Sequence, residues 1–217
     1  MMNDNAAPTR IILIRHGQTP WNQQQVFRGR ADIPLDDIGL QQAEALATAL
    51  EDEPIALVVA SPISRAVQTA QPLARAHGLA VIWSEAFTDV DFGSWEGMTA
   101  DQVERQYPDL YAAWLTHPER VHFPGGEDLG AVGDRAFAAL QDLVERNPGQ
   151  TLALVTHRVV NKVIICRVLG LGDAHFWQIK QDTACLNRLS FGESGWVVEC
   201  LNDTSHVRHL SAATADF

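Results

Sequence analysis

Lysine is scarce in this 217-residue sequence: Lys162 and Lys180 are the only two, and the remaining 14 of the 16 basic residues are arginines. Acidic residues number 27, so the formal net charge is −11. Such a charge disfavours nucleic acid and anionic membranes as partners. A site for a small anion would therefore need a local cluster of cations. Arginine suits that role because it pairs with phosphate or carboxylate through two parallel hydrogen bonds.

Long apolar runs and cysteine motifs are also lacking. No apolar run approaches the roughly 18 residues that a membrane span requires. The N-terminal MMNDNAAPTR does not have the basic and apolar segments of a signal peptide, so we expect a cytoplasmic protein. Cys166, Cys185 and Cys200 are too scattered for a disulfide framework or a metal site. Their apolar neighbours predict small buried side chains.

Apolar, β-branched runs alternate with segments of helical periodicity over most of the chain. Strands are predicted at 10–16, 56–61, 79–83 and 151–157, followed by a hairpin of 185–191 and 195–202. Helices are predicted at 40–50, from Ser61-Pro62 to 73, at 132–144 and at 159–169. The pattern predicts an α/β sandwich around a mostly parallel sheet with an antiparallel edge.

No linker or internal repeat divides the chain, so 1–217 is predicted to be one domain with its core at about 10–203. Residues 98–126 interrupt the alternation and predict an insertion of short helices. The ends, 1–9 and about 211–217, are expected to be frayed.

Polar side chains follow three of the predicted strands. They are Arg15, His16 and Gly17 after the first, Ser61 and Arg65 after the second, and His157 and Arg158 after the fourth. Ligands of open α/β sheets bind at the carboxyl ends of the strands, so we expect these side chains to share one site. Gly17 is expected to let the backbone turn close to a bound group.

Two imidazoles and two guanidinium groups at one edge indicate phosphoryl transfer. Neutral His16 can attack phosphorus to give a phosphohistidine, with His157 as a second donor to the transferring group. Arg15 and Arg65 can stabilise charge on the equatorial oxygens.

The leaving oxygen needs a proton, and the segment FTDVDFGSWEG offers three carboxyl groups for this role. They belong to Asp89, Asp91 and Glu96, and nothing in the local sequence identifies which one is the acid.

Five segments resemble, in order, the motifs of the histidine phosphatase superfamily in its phosphoglycerate-mutase-like branch. They are LIRHGQTPWN, FRGRADIPLDDIG, SPISRAVQTA, DVDFGSWEG and VTHRVVNKVI, within a match from about 11 to 203. The resemblance implies a three-layer α/β/α fold like that of phosphoglycerate mutase. It also implies a reaction without a metal or an organic cofactor.

The resemblance further assigns roles to individual residues. It implies a phosphohistidine at His16, a phosphate pocket of Arg15, Arg65 and His157 with Asn22 nearby, substrate contacts at Arg28 and Gly29, and a general acid at Asp89.

The chain departs from the family pattern at two positions. The acid is usually glutamate, so Glu96 remains a second candidate for the acid. The residue after the second histidine is commonly glycine. Arg158 could contact an anionic substrate there or point to solvent, and solvent is the preferred expectation.

The resemblance leaves three functions to distinguish. A phosphomonoesterase acting on a small phosphorylated metabolite is preferred. The mutases of this family carry an ERxYG-type segment at the acid position and paired basic residues in the insertion, whereas this chain has DVDFG and isolated Arg105 and Arg120. The alternatives are a cofactor-dependent phosphoglycerate mutase and a weakly active phospho-ligand binding or regulatory protein. A homodimer through the hairpin edge stays open.

The sequence does not identify the substrate. Four aromatic residues are candidates for the mouth of the pocket, although burial in the core is the preferred expectation for most of them. They are Trp21, Phe27, Trp114 and Phe123.

Overall fold

A computed structural model describes residues 7–210, and within that range six strands form one sheet in the order β3-β2-β4-β1-β5-β6. The strands are β1 (Thr9–Arg15), β2 (Ile55–Ala60), β3 (Val81–Trp83), β4 (Thr151–Thr156), β5 (Leu186–Gly192) and β6 (Gly195–Asp203). Strands β3, β2, β4 and β1 are parallel to one another. Strand β5 runs antiparallel to β1, and β6 antiparallel to β5. The predicted sheet is confirmed, with its antiparallel part formed by the β5–β6 hairpin.

Seven α-helices lie within residues 7–210. They are α1 (Pro20–Gln23), α2 (Asp37–Ala49), α3 (Ser64–Ala76), α4 (Ala100–Gln106), α5 (Pro108–Thr116), α6 (Leu129–Arg146) and α7 (Arg158–Val168). Helix α3 does not begin at Ser61-Pro62 as predicted. Ile63 is still extended, and the Asp32 carboxylate accepts hydrogen bonds from the backbone N–H and the hydroxyl of Ser64. This capping contact comes from a distant loop, which the local sequence does not reveal.

Helices cover both faces of the sheet, which establishes three layers. Successive side chains of β1 point to opposite faces. Ile12 and Ile14 belong to one buried cluster with α2 and α3. Ile11 and Leu13 belong to a second cluster with α6 and α7.

The segment after β3 adds an aromatic cluster to the second face. Helices α4 and α5 lie within the region predicted as an insertion, and Trp114 of α5 is buried. The Trp114 ring centroid lies 5.3 Å from that of Phe123 and 5.1 Å from that of Phe176. Phe27 and Phe123 are buried as well, whereas Trp21 is partly exposed.

Three other sequence predictions have mixed outcomes. Cys166 and Cys185 are buried, but Cys200 is partly exposed. Residues 1–6 and 211–217 lie outside the described residues, so the frayed ends stay a prediction there, while Thr9 already belongs to β1. Across residues 7–210, no helix is both long and apolar enough to cross a membrane.

Candidate active site

The loop after β1 brings His16 to the carboxyl edge of the sheet, next to the end of β4. The backbone N–H of His16 donates to the carbonyl of Thr156, and its own carbonyl accepts from Ala184 N. Gly17 is not required here for an unusual turn, since its φ is not positive. It allows two segments of backbone to pack closely, because a Cβ at this position would lie 2.7 Å from the Gly39 carbonyl oxygen. The loop that carries His16 therefore packs closely against the first turn of α2.

His16 is held in the form that a nucleophile requires. Its ring is buried, and Nδ1 lies 2.7 Å from the carbonyl oxygen of Gly17. A carbonyl oxygen only accepts hydrogen bonds, so Nδ1 carries the proton and Nε2 keeps its lone pair. Burial, reinforced by Arg65, Arg15 and Arg28, holds the pKa of His16 well below its ordinary value. The imidazole is therefore neutral at physiological pH.

His157 approaches His16 from the end of β4. The two ring centroids lie 5.3 Å apart, and Nε2 of His157 forms a 2.7 Å hydrogen bond with the Ser61 hydroxyl at the end of β2. Burial, then the charge of Arg65 and His16, lowers the pKa of His157 well below its ordinary value. The three strand ends thus meet, as predicted from their polar signatures.

Arg65 and Asp89 form the charged pair of the site. The Nη2 group of Arg65 donates to Asp89 Oδ2 at 3.0 Å, and the same oxygen lies 3.6 Å from His157 Nδ1. Arg65 also donates to the carbonyls of Gly29 and Ala31 at 2.8 Å. Burial lowers the pKa of Arg65, and the Asp89 carboxylate opposes that shift. Asp89 therefore lies beside both the Arg65 guanidinium and the second histidine.

Arg15 is fixed from behind by a buried amide network. Its Nη1 donates to the carbonyl of Gln181 at 2.6 Å. The Gln181 side chain hydrogen-bonds to Asn187 at 2.6 Å and accepts from Asn161 at 3.0 Å. Asn187 in turn donates to the carbonyl of Leu13 in β1. These amides connect the loop before β5 to strand β1, which leads into His16.

Glu96 supports the loop before α2 rather than the histidines. Its Oε1 accepts a 2.7 Å hydrogen bond from the backbone of Arg30. It also fills the space beside Gly29, whose φ is +50° and where a Cβ would lie 1.9 Å from Oε1. Burial raises the pKa of Glu96, assisted by Asp91 and opposed by the Arg30 hydrogen bond.

Asn22 is completely buried in α1, and its Oδ1 accepts from the backbone N–H and the hydroxyl of Thr19. Ser61, expected at this edge from its place at a strand end, does contact His157. Gln181, which contacts Arg15, was not predicted from the sequence. Gln181 has no comparable signal, since only the folded chain brings it to Arg15.

A narrow pocket of about 30 Å³ lies against Asp89. Its apolar wall is formed by Val26, Phe27, Phe92, Trp114, Val159 and Phe176. Arg28 and Arg158 also line the pocket. The preferred expectation from the sequence, that Arg158 points to solvent, is therefore wrong. Asp89 therefore joins a cluster of histidines and arginines to a largely apolar cavity. Among residues 7–210, no group of three histidine, cysteine or acidic side chains could hold a metal ion.

The sequence matches the family model of the histidine phosphatase superfamily (branch 1) over residues 11–204. The chain belongs to this superfamily. It is a histidine phosphatase with the phosphoglycerate-mutase-like fold, and the fold and family inferred from the sequence motifs are confirmed.

Individual relatives of this histidine phosphatase carry different names. Phosphoserine phosphatase 1 of Hydrogenobacter thermophilus is 32% identical over 198 residues, covering 91% of this chain and 94% of the relative. A probable phosphoglycerate mutase, GpmB of Yersinia pestis, is 28% identical over 91% of this chain and 94% of its own length. The solved structure of Bacillus stearothermophilus YhfR superposes with a TM-score of 0.88 at 28% identity, covering 92% of this chain and all of that one.

Proposed function

We propose that this histidine phosphatase is a phosphomonoesterase that hydrolyses a small phosphorylated metabolite through a phosphohistidine at His16. The observation that carries the proposal is the buried, neutral imidazole of His16, whose Nδ1 is fixed by the Gly17 carbonyl. Its Nε2 lone pair is the nucleophile. Arg15, Arg65 and His157 supply donors to the phosphate, with Asn22 close by.

In the first half-reaction, Nε2 of His16 attacks phosphorus and the bond to the ester oxygen breaks. The protonated form of the Asp89 carboxyl, which gives up its ion pair with Arg65 to the substrate phosphate, passes its proton to the departing alcohol. In the second half-reaction, Asp89 takes a proton from water, which attacks the phosphohistidine and breaks the P–N bond. Inorganic phosphate leaves and Asp89 is protonated again. No metal or organic cofactor takes part in these steps.

Asp89 is a better candidate for the acid than Glu96. Asp89 Oδ2 contacts Arg65 and His157, and Asp89 also lines the pocket in which a leaving group would lie. Glu96 contacts the Arg30 backbone and is not among the described residues that line the pocket. We assign to Glu96 the support of the substrate-contacting loop at Arg28 and Gly29.

Hydrolysis is favoured over mutase activity by the position of the basic residues in the inserted segment. A mutase must hold a second acidic substrate group and keep water from the phosphohistidine. Arg105 and Arg120, the basic residues of the inserted segment, are exposed, and Arg120 lies 3.3 Å from Glu119. Neither is among the described residues that line the pocket. Because one relative, GpmB, is named a probable phosphoglycerate mutase, both phosphatase and mutase activity must be measured directly.

The test measures phosphate release from p-nitrophenyl phosphate and a phosphometabolite panel, together with acid-labile, base-stable phosphohistidine after rapid quench. His16→Ala should abolish turnover and labelling. His117→Ala, which removes a mostly exposed imidazole, should retain both. Turnover by His16→Ala at the wild-type rate, without contaminating enzyme, would refute the proposal.

Two further outcomes identify the alternatives. Conversion of 3-phosphoglycerate to 2-phosphoglycerate with a bisphosphoglycerate primer, faster than phosphate release, would indicate a mutase. A phosphohistidine that forms but does not turn over would indicate a phospho-ligand binding or regulatory protein.

A further inference from the structure

The peptide group between Gly17 and Gln18 lies directly against the His16 ring. Its carbonyl oxygen, on Gly17, lies 2.7 Å from Nδ1 of His16, and its N–H belongs to Gln18. A trans peptide group is planar, with its C=O and N–H pointing in opposite directions. A contact that fixes the Gln18 N–H therefore also fixes the direction of the carbonyl that the ring contacts.

The partner of this N–H is Gln42, on the inner face of α2. The Gln18 N–H donates to Gln42 Oε1 at 2.8 Å, and Gln42 Nε2 donates to the Thr183 hydroxyl at 3.2 Å. A backbone N–H can only donate, so the side-chain oxygen of Gln42 must face Gln18. Only 1% of Gln42 is exposed, so bulk water cannot readily replace it as the acceptor. Gln42 is therefore held in one orientation, with its oxygen against the peptide group.

The preceding peptide group is fixed in the same way from a different helix. The Gly17 N–H donates to the Thr69 hydroxyl of α3 at 3.0 Å, and that hydroxyl donates to the Arg65 carbonyl at 2.7 Å. Thr69 is completely buried. Side chains of two helices thus bind the N–H groups on either side of the Gly17 carbonyl, while the carbonyl oxygen accepts from the His16 ring.

From these contacts we propose that Gln42 is a positioning residue, which orients the Gly17 carbonyl toward Nδ1 of His16 and so keeps the lone pair of the ring on Nε2. The inference rests on the proposed phosphatase function and adds a residue to it. The nitrogen of a histidine ring that carries the proton is set by the hydrogen bond that this nitrogen makes. Without Gln42, the peptide group could rotate and the proton could move to Nε2, which would then have no lone pair for phosphorus.

The same contact acts on the intermediate. Attack by Nε2 leaves the proton on Nδ1, so the ring is positively charged once it is bonded to phosphorus. The Gly17 carbonyl stabilises this charge, and the hydrogen bond from Gln18 to Gln42 strengthens the carbonyl as an acceptor because hydrogen bonds in series polarise one another. When water displaces the ring, the electron pair of the P–N bond returns to Nε2 and the ring is neutral again.

The kinetic test removes the acceptor while keeping the space filled. Gln42→Met introduces an unbranched side chain that adapts to the available room. We expect kcat/KM to fall by about tenfold, the value of one hydrogen bond. The loss should be equal on p-nitrophenyl phosphate and on an alkyl phosphate, because the nucleophile and not the leaving group is affected. Gln41→Met, at the exposed neighbour on the same helix, is the matched control and should keep the wild-type rates.

The ring nitrogens give a readout that a merely structural role would not move. Nitrogen–proton correlation spectra of isotope-labelled protein distinguish a protonated ring nitrogen from one with a lone pair, and His16→Gln identifies the signals. The wild type should carry the proton on Nδ1, whereas Gln42→Met should show both tautomers. Gln42→Glu keeps an acceptor for the Gln18 N–H and should restore the wild-type signals and most of the rate. Thr183→Val breaks only the other hydrogen bond of Gln42 and should lower stability without changing the tautomer.

The outcomes separate this inference from the proposed function. A His16 ring that stays in the wild-type tautomer in Gln42→Met, at any rate of turnover, would overturn the inference and leave the phosphatase assignment in place. If Gln42→Met does not fold, Gln42→Glu decides, since mixed tautomers despite the retained acceptor would overturn the inference and the wild-type tautomer would support it. Absence of both turnover and phosphohistidine in the wild type would overturn the proposed function, and the tautomer measurement does not depend on turnover.

Discussion

Replacing Asp89 by asparagine tests which carboxyl group protonates the leaving alcohol. Asp89 Oδ2 lies 3.0 Å from Arg65 Nη2 and 3.6 Å from His157 Nδ1, and only 7% of the side chain is exposed. The amide keeps the shape of the side chain and an acceptor for Arg65, but it cannot give up a proton as a carboxylic acid does. A positioned acid contributes about 10²–10⁴-fold to rate, so kcat/KM on an alkyl phosphate should fall by that factor.

The leaving group makes this prediction specific. p-Nitrophenolate departs without a proton, so Asp89→Asn should lose less than about tenfold on p-nitrophenyl phosphate in the first half-reaction. Because the base that activates water is also lost, the phosphohistidine should accumulate and appear as a burst of nitrophenol. Stopped-flow absorbance and quenched labelling measure the two steps separately.

Folding must be checked independently in the same variant. Loss of a charge from a buried hydrogen-bonded pair should cost about 1.5–3 kcal/mol in the free energy of unfolding, measured with urea. Glu96→Gln serves as the comparison, since it retains an acceptor for the Arg30 N–H and should change the rates on both substrates by the same factor. A loss confined to alkyl phosphates in Glu96→Gln, and missing in Asp89→Asn, would refute the assignment of Asp89.

Three other predictions concern pH, backbone conformation and the amide network. Burial lowers the pKa of both His16 and His157 in the folded protein. Below about pH 6.5 the unfolded chain therefore binds more protons than the folded one. The free energy of unfolding should then fall by up to about 2.7 kcal/mol per pH unit toward pH 5. Urea titrations of the double variant His16→Gln/His157→Gln should show a flatter slope, and an unchanged slope would contradict the pKa shifts. Gly29→Ala should lower the free energy of unfolding by about 2 kcal/mol and abolish most activity, because the new Cβ adds backbone strain at positive φ and collides with the Glu96 carboxylate. Gly78→Ala, also at positive φ but with open space around the new Cβ, should show only the cost of the strain. Gln181→Leu should weaken inhibition by inorganic phosphate and lower stability by about 2 kcal/mol, and wild-type phosphate affinity would argue against its positioning role.

The sequence was sufficient to predict the sheet, the family and the meeting of three strand ends. Each of those features is encoded locally, by an apolar run followed at once by polar residues. Arg15, His16 and His157 could be placed in one site because parallel strands bring their carboxyl ends to the same edge. The start of α3 and the orientation of Arg158 could not be predicted, since Asp32 and Trp177 reach them from distant segments.

The choice between Asp89 and Glu96 shows why the remaining details needed the folded chain. Both carboxyl groups lie in one short motif, and their spacing does not distinguish them. Arg135, on α6, donates to the carbonyls of Ala86 and Thr88 at 2.8 Å and to that of Asp89 at 3.1 Å. It also binds the Glu127 carboxylate, which anchors its own guanidinium.

These hydrogen bonds fix the backbone at Asp89, so its short side chain has little freedom to move away from Arg65. An aspartate side chain is shorter than that of the glutamate usual at this position, and a fixed backbone compensates for the shorter side chain. Arg135→Lys, which keeps the charge but loses the forked set of N–H donors, should lower kcat on alkyl phosphates more than on p-nitrophenyl phosphate. Lengthening the acid with Asp89→Glu in that background should restore part of the loss, because a longer side chain tolerates a displaced backbone. Equal losses on both substrates, without rescue, would show that Arg135 stabilises the fold but does not position the acid.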